Sequence, residues 1–208
     1  MKNKNYICLN GQKIEIEENK LSEIKKTLGV KDRFYIDKNE KGEQIAHVGE
    51  YDFLVLERSG DTIALLLKSL YKEKVIFGSN NDYRGSNVQK ICREFAREIA
   101  SIVGEENVVE HTVDLTSNDG LRDYGKIREK SSLLSADLYR RYVDILDLDR
   151  LDKYWWLATP WSTPRHNESE WINCVSPRGR IDDVTFNDGG AWCGVRPFLI
   201  LKSDIFGS

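Results

Sequence analysis

Apolar and polar positions along the chain follow two different periods, and each change of period marks a new element. Residues 6–9 are apolar, Asn10-Gly11 is a turn pair favouring positive φ, and residues 13–16 alternate, so the start predicts a β-hairpin. Behind it Asn19 is a helix N-cap, Leu21, Ile24 and Leu28 share one face of a helix over 20–28, and Gly29 supplies a left-handed C-cap. A unit of about 30 residues buries too little apolar surface to stand alone, so it must pack on the rest of the chain or on a partner. Residues 30–44 are polar and 38–41 read as a charged turn or linker. The domain boundary is placed there, with a hairpin-helix unit over 1–44 and a second domain over 45–208.

The sheet of the second domain is expected to begin with another hairpin. Residues 51–57 alternate through Phe53 and Val55, Ser59-Gly60 turns, and 62–67 return as a buried apolar run. From Ser86 a capping sequence opens a helix in which Val88, Ile91, Cys92, Phe95, Ile99 and Ile102 repeat at helical spacing up to Gly104. Its other face, with Lys90, Arg93, Glu94, Arg97 and Glu98, reads as solvated and laced by i,i+4 pairs. A strand near 108–115 and a Ser135-capped helix over 136–146 complete the middle of the chain.

Composition changes beyond Leu151, where all five tryptophans and all four prolines lie. This region is held by aromatic packing rather than by helix periodicity. Short strands are readable at 154–158, 171–175, 180–184 and 194–201, separated by Pro, Gly, Asn and Asp turns. The helix from Ser86 is expected to pack on this Trp-rich sheet through Phe95 and Ile99. Trp155 and Trp156, adjacent on a strand, must point to opposite faces. Arg196 lies within an apolar stretch and needs a hydrogen-bond or carboxylate clamp if buried.

Bulk properties exclude some classes of function. A formal charge of −3, from 31 basic and 34 acidic residues, gives no electrostatic case for general nucleic-acid or anionic-membrane binding. No apolar run is long enough to span a bilayer, and the expectation is a cytoplasmic protein. Cys8, Cys92, Cys174 and Cys193 show no paired spacing, so they read as reduced thiols with no zinc or disulfide framework. No metal and no cofactor are expected.

Two anchors carry a resemblance: Tyr154-Trp155-Trp156-Leu157-Ala158-Thr159-Pro160, and Gly194-Val195-Arg196-Pro197-Phe198-Leu199-Ile200-Leu201. Together with Phe77-Gly78-Ser79-Asn80-Asn81 and Leu133-Leu134-Ser135, they resemble the family known as domain of unknown function 6273, over residues 51–201. Members carry W-W-L-R-S-P and end in G-V-R-P-A-L. Here Ala158-Thr159 stands for Arg-Ser and Phe198 for Ala, and the first 50 residues fall outside the family core. The family is more distantly similar to the C-type-lectin-like fold of formylglycine-generating enzymes and of retroelement variable proteins. The resemblance implies an α+β C-type-lectin-like domain behind a small N-terminal hairpin-helix unit, in a phage or prophage context. It also implies a role as host-directed inhibitor, counter-defence protein or adhesion module, with an enzyme on the formylglycine-generating scaffold or a structural virion component as alternatives.

Candidate chemistry is sparse. No G-x-S-x-G elbow exists, and the only histidines are His47, His111 and His166; His111 reads as a half-buried strand residue, and His166 as the one exposed enough for a site. Cys174 and Cys193 lie 19 positions apart in flanks unlike those of the formylglycine-generating enzyme, though a fold could bring them together. Asp182-Asp183 and Asn187-Asp188 lack the tripeptides of calcium-dependent sugar binding and read as turn residues. What remains is a surface for a protein partner. Its candidate residues are Trp161, Arg165, His166 and Glu168 in one loop, Arg178 and Arg180 in a hairpin turn, and Asn187 and Asp188 in the segment before the final strand. From Lys153 onward six cations oppose six carboxylates, so such a surface is charge-patterned rather than polyanion-binding.

Overall fold

The structure is a computed structural model that describes residues 5–9, 12–17, 20, 24, 27, 34–188 and 192–207. It is an α+β fold, with most of its elements in sheets. At the start, β1 (Asn5–Leu9) and β2 (Gln12–Ile16) pair antiparallel with Ile7 opposite Ile14, as the alternation predicts. Lys20, Ile24 and Thr27 are helical, and the rest of the expected first helix lies outside the described residues, as do the Asn10-Gly11 turn and Cys8's side chain.

A seven-stranded sheet follows. It contains β3 (Phe34–Lys38), β4 (Gln44–Val48), β5 (Tyr51–Ser59) and β6 (Thr62–Leu67), and is completed by β7 (Val108–Val109), β10 (Ser131–Ser132) and β15 (Phe198–Lys202). Its order is β10-β15-β6-β5-β4-β3, and β7 continues the pairing along β15 beyond β10. The β5–β6 hairpin turns at Gly60, whose φ of 58° is costly for a residue with a Cβ. Residues 34–44 correct the sequence reading. The polar stretch 30–44 contains β3, paired to β4 with Phe34 opposite Val48 and Lys38 opposite Gln44, so the sheet begins at Phe34, and the charged turn read at 38–41 is the turn of this hairpin.

Helix α1 (Asn87–Val103) lies on one face of the large sheet. Ser86 Oγ caps it by accepting from the Gln89 amide at 3.1 Å, while Gln89 Oε1 reaches back to the Gly85 amide at 2.6 Å, one residue beyond the usual capping box. Phe95 and Ile99 do not meet the Trp-rich sheet. They bury against Phe53, Ile63, Leu65 and Leu201 of the seven-stranded sheet, whereas Val88, Ile91 and Cys92, in the first turns, join the core around Trp156. A single apolar stripe of α1 thus serves two cores. Its charged face pairs with other elements rather than along the helix, since Arg93 holds Glu129 at 2.7 Å and Glu98 accepts from Tyr71 at 2.8 Å.

A two-stranded ribbon, β8 (His111–Asp114) and β9 (Lys126–Glu129), flanks α1, so the strand expected over 108–115 is split at Glu110. The expected helix over 136–146 is split too, into α2 (Ala136–Arg141) and α3 (Val143–Leu146) at Tyr142, while Ser135 caps α2 as expected, accepting from Leu138 N at 3.2 Å. The Trp-rich region forms a four-stranded sheet of β11 (Tyr154–Pro160), β12 (Trp171–Val175), β13 (Ile181–Thr185) and β14 (Cys193–Gly194), ordered β13-β12-β11-β14. Both tryptophans of β11 are buried. Trp156 enters the core with Phe77 and Tyr83 and donates to Val75 O at 2.7 Å, whereas Trp155 enters the opposite core with Tyr139 and Leu157.

Arg196 is clamped as its position requires. Its side chain is 1% exposed, Nε donates to Leu67 O at 2.7 Å, Nη2 reaches Asp149 Oδ2 at 3.2 Å, and the guanidinium lies 5.3 Å from the Trp155 ring. Burial lowers its pKa to about 10, against the opposing pull of Asp149, so it keeps its charge at neutral pH. Among the described residues no helix is long and apolar enough to cross a membrane.

Two stability predictions follow from these contacts. Phe95→Ala should cost about 3–5 kcal/mol through lost burial and the cavity left among Tyr51, Phe53 and Tyr71; urea denaturation yielding less than about 1 kcal/mol would refute this packing. Asp149→Ala should cost about 3 kcal/mol, because it leaves a buried guanidinium without its counter-charge, and a melting profile indistinguishable from the parent would show the clamp to be dispensable.

Candidate functional site

The candidate surface is built at one end of the four-stranded sheet. β11 pairs with β12 at Trp156–Cys174 and again at Pro160–Ile172, so β11 carries two more residues than its partner across that interval and is bulged. Beyond the bulge the Trp161 amide donates to Trp171 O at 3.1 Å, which places two tryptophans as neighbours across the strand ends. Both stay in contact with water, at 44% and 37% exposure. Large apolar side chains left half in water at one spot are the feature that core packing does not explain.

The loop behind Trp161 is braced by an element the sequence reading had passed over. Asp119 Oδ2 accepts from Ser162 Oγ at 2.6 Å and lies 2.8 Å from His166 Nδ1, while its Oδ1 accepts from Ser117. Since an ionised carboxylate only accepts, His166 presents Nδ1–H to it. Asp123 holds two residues between Ser162 and His166 in the same way, accepting from Thr163 Oγ1 at 2.6 Å and from Arg165. Beneath them Asn81, fully buried, donates to both Ser162 O and Trp171 O, and accepts from Tyr124 at 2.7 Å. A short turn over Pro164–His166 closes the loop, and Asn167 takes the left-handed conformation (φ 58°) that asparagine tolerates better than most residues.

The eight candidate residues are not all brought together. Trp161, Arg165, His166 and Glu168 share the loop, and Asn187 and Asp188 lie beside it, because Phe186 N donates to Glu170 O at 3.0 Å. Arg178 and Arg180 sit in the turn at the other end of the β12–β13 hairpin, where Tyr139 donates to Gly179 O. Five paired positions at about 3.3 Å each put roughly 13 Å between the two ends, so the two arginines are separate from the tryptophan surface. Arg165 and His166 also change role, since both are engaged in bracing. Without Arg178 and Arg180, the loops that build the tryptophan end carry Arg122 and Arg165 against Asp119, Asp123, Glu168, Glu170 and Asp188, so that end is acidic on balance.

Other constellations are settled by geometry. Cys174 and Cys193 stand on the two strands that flank β11, and both are fully buried. The neighbouring Cys174 thiol and burial push the Cys193 thiol far above its ordinary pKa, and burial pushes Cys92 up to about 12, so neither is a thiolate at neutral pH. Asp182 and Asp183 are successive on β13 and point to opposite faces, with Asp182 held 3.6 Å from Arg180. Among the described residues no three metal-binding side chains stand close enough to hold an ion.

A scan against family models, a search of curated proteins and a search of solved structures return no match to this chain.

The bracing predicts a pH dependence. Burial pushes the Asp119 carboxyl up, but donors from Ser117, Ser162 and His166 outweigh it and hold its pKa well below the carboxylate range. Its contribution is complete above the ordinary value near 4 and is lost only as pH falls through the depressed one. Amide exchange over residues 161–168 should therefore stay slow from pH 7 down to about 4. In Asp119→Ala it should already be fast at pH 7, and equal protection in parent and variant would show that the brace is not what holds the loop.

Proposed function

We propose that this protein acts by binding another protein, without catalysis, through the acidic end of the four-stranded sheet that displays Trp161 and Trp171. One observation carries the reading: two half-exposed tryptophans stand side by side on a backbone fixed by two carboxylates and a buried asparagine. Rigid aromatic anchors are the residues that contribute most at interfaces, and a surface already in its bound conformation loses little entropy on docking. The surrounding carboxylates favour a partner whose lysines or arginines ring an apolar pocket.

The C-type-lectin-like assignment and a phage or prophage role belong to the same proposal. Their support is the two anchor sequences, which here build the junction of the fold: the W-W pair feeds two cores, and G-V-R-P leads into the strand that closes the large sheet. Within that context an inhibitor or counter-defence protein acting on a host protein suits a rigid acidic surface.

The test is a pull-down from host lysate followed by affinity measurement with the captured protein. Trp161→Ala and Trp171→Ala should each weaken binding by about 2 kcal/mol or more with little change in melting temperature. Arg178→Ala, at the far end of the hairpin, should have no effect. Binding lost in Arg178→Ala but kept in both tryptophan variants would move the interface to the other end of the sheet.

A further inference from the structure

A second hollow lies on the seven-stranded sheet and does not depend on the protein-binding reading. On the face of the seven-stranded sheet beside α2, the residues of one cross-strand row are Glu57, Ala64 and Ile200. Alanine at the centre of that row leaves a hollow between longer neighbours, and the hollow opens into a cavity of about 340 Å³. That is the lower end of the size range of small-molecule sites.

The walls differ in character. On one side Glu57 accepts from the Tyr142 phenol, and Arg141 Nη2 lies 3.6 Å from the other carboxylate oxygen, too far for a closed hydrogen-bonded pair. Both charged groups therefore keep free bonding positions toward the cavity. Burial first, then Glu57, pushes the Tyr142 phenol up to about 12, so it remains a donor and keeps Glu57 in place. The floor is apolar, continuing from Ala64 and Ile200 to Phe198. The opposite wall is His111 and Thr112, roughly 10–15 Å from Glu57 at ordinary strand spacing. His111 packs edge-on to Phe198, its Nε2 lies 2.8 Å from Ser132 Oγ, and burial pushes it down to about 4, so this wall is polar and uncharged.

A carboxylate and a guanidinium side by side complement an ammonium and a carboxylate carried on one carbon. A flat apolar floor ending at a neutral polar wall complements an aromatic ring with a polar edge. We propose that this cavity binds a free aromatic amino acid, with its ammonium on Glu57, its carboxylate on Arg141 and its ring over Ala64, Ile200 and Phe198.

Calorimetry on the full chain, with L-tyrosine as the probe, tests it. One molecule should bind per chain, and tyramine and 3-(4-hydroxyphenyl)propionate, each lacking one charge, should bind at least about 10-fold more weakly. Arg141→Gln, on an exposed side chain, should cost tyrosine about 10-fold while leaving tyramine unchanged. Ala64→Leu should fill the hollow and abolish binding, with its melting curve measured alongside to confirm folding. Absence of saturable tyrosine binding at about 1 mM, or tyramine binding as tightly as tyrosine, overturns the proposal. Trp161→Ala should bind tyrosine like the parent, which separates failure here from failure of the protein-binding surface.

Discussion

The buried guanidinium of Arg196 is the constraint on which the rest of the arrangement depends. It sits where two chain segments run side by side: residues 67–75, leaving the large sheet, and 193–197, entering it. Leu67 N bonds Pro197 O, Tyr71 N bonds Val195 O, Val195 N bonds Lys72 O, and Val75 N bonds Cys193 O, all at 2.8–2.9 Å. Arg196 closes that seam by donating to the carbonyls of Leu67, the last residue of β6, and of Lys68 just beyond it. Asp149 supplies the counter-charge from the loop after α3, and Trp155 covers the cation. One side chain thus joins the two sheets and the α2–α3 segment. The approach is close enough that a Cβ at Gly194 would come within 2.8 Å of Lys72 O, so glycine is required there for contact rather than for conformational freedom.

From this seam the two tryptophans of β11 set the layers. Because neighbours on a strand face opposite ways, Trp155 and Trp156 commit β11 to being buried on both sides. A strand fixed on both faces has little room to slide, so the irregularity that its sequence demands is displaced to its far end, as the bulge before Pro160. The bulge delivers Trp161 past the last pair and into water. Core packing and the exposed surface are thereby two consequences of one strand.

Much of this was legible in the sequence, and what was not has identifiable causes. The hairpins at 5–16 and 51–67, helix α1 and strand β12 declare themselves through period and caps. β3 does not, because Asp37 and Lys38 give an edge strand the composition of a loop, and only its pairing with β4 shows otherwise. The two-core role of α1 was hidden because periodicity identifies a buried stripe without saying what lies against it. Asp119 and Asp123 were missed for a different reason. Ser117-Asn118-Asp119-Gly120 reads as an ordinary turn, and no local signal shows its carboxylate reaching Ser162, 43 positions on. The separation of Arg178 and Arg180 from Trp161 was available in principle, since the turn and the open end of any hairpin lie at opposite ends.

The bracing of the loop also decides which groups can confer specificity. Asp119 and Asp123 each accept from two or more side chains of the chain itself, so a partner cannot recruit them without releasing bonds that hold the loop. Their charge nevertheless reaches into solvent over about a Debye length, roughly 8 Å at physiological salt. These carboxylates therefore steer a basic partner and set its rate of approach, while residence time depends on how well its surface receives Trp161 and Trp171. Salt should accordingly act on association, and truncation of the tryptophans on dissociation. That division of labour follows from a loop whose bracing carboxylates are occupied and whose two tryptophans are half in water.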